Sequence, residues 1–104
     1  MLSKKNRLNK KDFQNIIKNG KFFSTSVFKI YFIKDTKQQF AVITPKKFFK
    51  KAVTRNKFRR VGYNIIRNVD KKNLSGIFFY KKTVNDNDVE HIRDDIIFAF
   101  KNIK

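Results

Sequence analysis

Apolar residues in this chain gather into short runs and stripes separated by polar punctuation, and each pattern predicts an element. Asn9 with Asp12 three residues on reads as a helix cap, Phe13, Ile16 and Ile17 give that helix an apolar side, and Gly20 stops it. Val27–Ile33 (VFKIYFI) and Phe40–Thr44 (FAVIT) are rich in β-branched and aromatic residues, and the short polar gap between them predicts an antiparallel hairpin. Pro45 closes the second strand, and a helix is expected from Ala52 to about Asn68. A third strand follows over Gly76–Tyr80. Asn87 with Glu90 then predicts the cap of a last helix, with Val89, Ile92, Ile96, Phe100 and Ile103 facing inward and Ile97 and Ala99 flanking. No repeat and no Pro/Gly/Ser linker divides the chain, so residues 1–104 form one domain, with residues 1–8 as a loose basic arm. The fold class is α+β, helices packed on a small sheet.

The middle of the chain departs from ordinary amphipathic design. Between Lys46 and Arg60 stand Lys46, Lys47, Lys50, Lys51, Arg55, Lys57, Arg59 and Arg60, with no acid among them. At helical spacing Phe58, Val61, Ile65 and Val69, with Gly62 beside them, make one stripe. Ala52, Asn56, Arg60, Tyr63 and Arg67, with Arg59 adjacent, make the opposite one. A solubilising helix mixes signs and gains a few tenths of a kcal/mol per i,i+4 pair. Here like charges repel at those spacings, a cost that a polyanionic partner would offset.

The whole chain shares the bias. Its formal net charge is +18 over 104 residues, and it is uneven: residues 1–82 carry 23 Lys/Arg against Asp12, Asp35 and Asp70, while residues 83–104 carry three bases against five acids. Thirteen Phe and three Tyr accompany the charge. Most of these rings must fill the core, but cations interleaved with aromatics also suit unpaired nucleic acid, whose bases stack while Lys and Arg follow phosphates. There is no cysteine for a disulfide framework or thiolate metal site. No apolar run is long enough to span a membrane, and no apolar stretch follows the basic N-terminus as in a secretory signal. A cytoplasmic protein without membrane contact is expected.

Catalytic constellations are weak. Asp86, Asp88, Glu90, Asp94 and Asp95 cluster where a helix N-terminus favours acids anyway, and His91 has no nucleophile in a recognisable motif. Gly20, Gly62 and Gly76 make no phosphate-cradling loop. The residues therefore predict a binding protein with no catalytic residue of its own.

Pro45-Lys46-Lys47 followed by Ala52-Val53-Thr54-Arg55-Asn56-Lys57-Phe58-Arg59-Arg60 resembles the signature of the protein component of bacterial ribonuclease P. Arg7-Leu8 and Asp12-Phe13-Gln14, closing on Gly20, are similar to that family's opening helix, and the resemblance extends over nearly the whole chain. It implies an α-β-β-(β)-α-β-α sandwich with a mixed sheet, a fourth strand beyond the three read above, and a left-handed crossover. It also implies the accessory subunit of a ribonucleoprotein endonuclease, which binds a catalytic RNA subunit and the single-stranded 5′ leader of precursor tRNA. Hydrolysis would belong to the RNA with its Mg²⁺; the protein alone would hold no cofactor and need no protein partner.

By matched positions the RNA-facing residues are Lys46, Lys47, Arg55, Asn56, Arg59 and Arg60, to which the cationic stripe adds Lys50, Lys51, Tyr63 and Arg67. The implied leader cleft holds Phe13, Ile17 and Tyr31. Two positions depart from the family: Tyr63 stands where a further Arg is common, and Ile17 where an aromatic is common. The alternative reading of the same charge is a ribosomal or other structural RNA-binding protein with no role in tRNA processing.

Overall fold

A computed structural model describes residues 8–35, 37–70 and 73–103, so the expected basic arm lies, but for Leu8, outside the described residues. In chain order the elements are α1 (Lys10–Asn19), β1 (Lys21–Ser24), β2 (Phe28–Lys34), β3 (Phe40–Ile43), α2 (Ala52–Arg67), β4 (Leu74–Tyr80), a 3-10 turn (Asp86–Asp88) and α3 (Val89–Asn102). The fold is the expected α+β sandwich with a mixed four-stranded sheet.

Helix α1 begins as its sequence predicts, with the Asn9 side chain accepting the Asp12 N–H at 2.8 Å. Gly20 ends it by close approach: a Cβ there would stand 2.4 Å from the Ile16 carbonyl oxygen. Its φ of −77° is ordinary, so space rather than left-handed backbone demands the glycine.

The fourth strand is β1, which follows Gly20 directly. The expected hairpin is corrected. Sheet order is β1-β2-β4-β3, so β4 lies between β2 and β3, antiparallel to the first and parallel to the second. The actual hairpin joins β1 to β2, with Phe22 opposite Tyr31 and Phe23 opposite Ile30. Strands β3 and β4 are connected through α2, as parallel neighbours require.

Strand alternation gives the sheet two faces. One carries Phe28, Ile30 and Phe32 of β2, Phe40 and Val42 of β3, and Leu74, Phe78 and Tyr80 of β4, all buried beneath α2 and α3. Phe100 of α3 closes this core against Phe40 and Phe78, at ring separations of 5.5 and 5.7 Å. The second face carries Phe22, Lys29, Tyr31, Ile77 and Phe79 and is only partly covered, by α1. Ile16 and Ile77 are buried on this side, outside the main cluster.

Helix α2 buries Phe58, Gly62, Tyr63, Ile65 and Ile66, a seam rotated from the predicted stripe so that Tyr63 and Ile66 join it while Val61 and Val69 are only half-buried. Gly62 sets the spacing, since a Cβ there would lie 2.9 Å from Val42 Cγ1. At the other end of the sheet Tyr80, its phenol pushed up by burial, donates to the Phe58 carbonyl at 2.8 Å. The cap before α3 is Asn85 with Asp88, a reciprocal box opening the 3-10 turn, and not Asn87 with Glu90.

Candidate nucleic-acid interface

The turn from Pro45 to Lys51 and the outer side of α2 together form a cationic ridge. Lys46, Lys47, Lys50, Lys51, Asn56, Arg60 and Arg67 are exposed, and Arg55 and Arg59 are half-buried. Among the described residues no carboxylate pairs with Lys46, Lys47, Lys50, Lys51, Arg55, Arg59 or Arg60. Lys57, also on this helix, pairs with Asp86.

The half-buried arginines are braced by neutral oxygens. Arg55 Nη1 reaches back to the Phe49 and Lys50 carbonyls, both at 3.0 Å, and so ties the incoming turn to the first turn of α2. Arg59 donates from Nη1 to Asn56 Oδ1 at 3.0 Å and from Nη2 to the Thr44 hydroxyl at 3.3 Å. Such bonds hold a guanidinium fork in place without neutralising it, and a fork has five donors. The start of α2 adds to the field: its N-cap, Lys51, makes no side-chain cap bond, and the first turn has no acid. The positive end of the helix dipole thus stands among lysines, where an anion would be stabilised.

Tyr63 does not belong to this surface. It is buried, and its hydroxyl oxygen accepts the Val42 N–H at 3.2 Å. Because β3 is an edge strand, an N–H on its outer side needs an acceptor, and the phenol supplies it. Arg67 lies at the far end of α2, where it donates to Asn64 Oδ1 at 3.3 Å.

Beside the ridge lies a groove of about 370 Å³ lined by Ile17 of α1, Lys29 and Tyr31 of β2, Phe79 and Tyr80 of β4, Lys81, and Pro45, Lys47 and Phe48 of the turn. The turn is thus shared between groove and ridge. Phe13 meets this site through Phe79, edge to face at 6.3 Å, and Tyr31 packs on Phe79 at 5.9 Å. The structure therefore places Ile17 and Tyr31 in the groove wall and Phe13 behind it, against Phe79. It adds Lys29, Phe48, Phe79 and Lys81, which the sequence reading passed over. Period-two alternation already places Lys29 beside Tyr31 on β2, and it would have exposed Phe79 had the neighbour of β2 been known.

The acidic end of the chain offers no comparable site. Among the described residues no three His, Cys, Asp or Glu side chains are grouped to hold a metal. His91 is exposed, and its Nε2 lies 2.7 Å from Ser26 Oγ and 3.6 Å from Asp95 Oδ1. Serine and carboxylate approach the same ring nitrogen, so this is no relay in which one nitrogen is oriented and the other takes a proton. Among the described residues no helix is long and apolar enough to cross a membrane.

The geometry defines a small α+β protein with an unneutralised cationic ridge beside an aromatic groove. Comparison with known proteins agrees with that description and sharpens it. The Ribonuclease P family model matches residues 2–104, and the chain belongs to that family. The RNase P protein from Thermotoga maritima superposes with a TM-score of 0.74 at 23% identity, covering 94% of this chain and 97% of that one. A Staphylococcus aureus RNase P protein mutant with defective mRNA degradation activity gives 0.75 at 24% identity, covering 92% and 86%. The Staphylococcus aureus RNase P protein gives 0.73 at 21%, covering 92% and 93%. At these identities the likeness is one of fold. Against curated protein sequences the chain gives no significant match.

Proposed function

We propose that this chain is the protein subunit of a ribonuclease P ribonucleoprotein, which binds the catalytic RNA subunit through the ridge and the single-stranded 5′ leader of precursor tRNA in the groove. The observation that carries this reading is the pairing of two unlike surfaces on one turn. Among the described residues Lys46, Lys50, Lys51, Arg55, Arg59 and Arg60 have no carboxylate partner, Arg55 and Arg59 are held in place by neutral oxygens, and Lys47 and Phe48 lead from them into the aromatic groove. A folded RNA is met by charge and bidentate donors. An unpaired strand is met by ring faces flanked by cations, at about 1–3 kcal/mol per stacked base and with tolerance of sequence.

In this reading the chain contributes no catalytic residue. Its side chains hold the leader and so position the scissile phosphate on the RNA subunit, where bound Mg²⁺ supplies the hydrolytic chemistry. No ion is assigned to the protein alone, and no protein partner is needed. The testing experiment is reconstitution with the cognate catalytic RNA. The protein should lower the Mg²⁺ concentration needed for 5′ cleavage of a precursor tRNA, and purified protein without RNA should not cleave. Cleavage by the protein alone, or unchanged Mg²⁺ dependence, would refute the assignment. If some eight phosphates are neutralised, affinity should fall with salt at a log–log slope of roughly −6 to −7.

A further inference from the structure

The aromatic surface does not end at the groove. On the same sheet face Phe22 of β1 lies opposite Tyr31, with ring centroids 5.3 Å apart and planes inclined by 60°. Phe22, Tyr31, Phe79 and Phe13 thereby form a continuous row of four rings from the sheet edge to α1, with steps of 5.3, 5.9 and 6.3 Å. Phe22 is the most open of them, 54% exposed, on a strand that among the described residues has no neighbour beyond it in the sheet. Its neighbour Phe23 already packs on the core from the opposite face, so β1 has a ring for that purpose without Phe22. Amines run beside the row: Lys29 is exposed on the same face, and Lys81 reaches across to the Ser24 hydroxyl at 2.8 Å.

A lone exposed phenylalanine needs no explanation. A ring that extends an aromatic row bordered by lysines does, because that arrangement matches a strand whose bases stack in succession while its phosphates meet cations. Building on the leader-binding role proposed above, we infer that Phe22 forms a further subsite for an unpaired nucleobase, extending the single-strand track across β2 to the outer edge of β1. Ile17, on the other side of the groove, is aliphatic and 39% exposed, so the stacking surface of this chain is weighted toward the β1 side.

The test uses the reconstituted holoenzyme and precursor tRNAs whose leaders lengthen one nucleotide at a time. Phe22→Ala should leave short-leader affinity unchanged and weaken binding about five- to thirty-fold once the leader reaches the subsite, while Phe22→Trp retains it. A single abasic nucleotide moved along the leader should cost the wild type affinity at one position where Phe22→Ala shows no further loss. An equal loss at every leader length, or none at any length, overturns the subsite. If Phe79→Ala also leaves every leader length unaffected, the groove itself does not hold the leader, and both readings fall; a loss with Phe79→Ala alone condemns only the Phe22 subsite.

Discussion

Arg59 donates from Nη2 to the hydroxyl of Thr44 at 3.3 Å, which joins the ridge on α2 to the end of β3 just before the turn that lines the groove. The bond sets the direction of a charge without cancelling it. Thr44→Val should therefore leave the fold intact and weaken RNA-subunit binding by a few-fold, through loss of preorganisation. The double reversal Arg59→Glu/Arg60→Glu should do far more and should reduce the steepness of the salt dependence by roughly two. Filter binding across a salt series, with circular dichroism to verify folding, separates the two effects.

Tyr63 makes the opposite prediction. Its phenol accepts the Val42 N–H from within the core, so Tyr63→Phe leaves that donor unpaired. Stability should drop by about 1–3 kcal/mol in urea unfolding, with RNA affinity in the folded protein unchanged. A variant of full stability that binds RNA poorly would return Tyr63 to the interface.

Close packing at Gly62 can be tested by relief. Alanine improves intrinsic helix propensity by about 1 kcal/mol, yet its Cβ would lie 2.9 Å from Val42 Cγ1 on a stiff β-branched side chain. Overpacking of this kind costs about 1–3 kcal/mol, so Gly62→Ala should be net destabilising. In Val42→Ala the same substitution should cost less, because the obstructing methyls are gone. A double-mutant cycle measured by thermal unfolding reads the coupling directly.

Tyr80 predicts an alkaline limit to stability. Burial raises its folded-state pKa above the ordinary 10.0, so the phenol's contribution is complete below about pH 10 and is lost as pH rises beyond it. The unfolded chain gains about 1.4 kcal/mol per pH unit over that range from ionising this group. Tyr80→Phe should flatten that decline relative to wild type in unfolding curves between neutral and strongly alkaline pH. At neutral pH it should cost about 1 kcal/mol for the missing bond to the Phe58 carbonyl.

Lys29 and Lys81 border the groove, and the proposed strand passes between them. Replacing both with alanine should leave catalytic-RNA assembly unchanged and weaken binding of precursor tRNA relative to mature tRNA. The salt slope of leader binding should decrease in magnitude by roughly 0.7 for each phosphate that is no longer neutralised. Equal weakening of both tRNAs would place these lysines outside the leader track.

The legible parts of the chain were those encoded locally. The Asn9–Asp12 cap, the Gly20 stop and the inward residues of α3 follow from spacing alone, and so does the acid-free cationic run. What escaped depends on distant partners. Four residues reading Lys-Phe-Phe-Ser carry too little periodicity to announce β1, which is a strand because β2 is available to pair with it. The gap between β2 and β3 suggested a hairpin because nothing local reveals that Leu74–Tyr80 will insert between them. Tyr63 falls on the polar stripe of a helical wheel; only the unpaired N–H of an edge strand shows why it turns inward. Asn87 and Asn85 both stand before acids three residues on, and the 3-10 turn selects the earlier one. Of the site, the cations could be read directly, whereas the groove required knowing which strands touch.

The insertion of β4 also fixes when this protein can acquire its shape during synthesis. Strands β2 and β3 share no direct pairing, and Tyr31 has no Phe79 to pack on until about three-quarters of the chain has left the ribosome. Until then the nascent chain carries most of its positive charge without an assembled sheet behind it. The acidic final helix arrives last and completes the cover over Phe40 and Phe78.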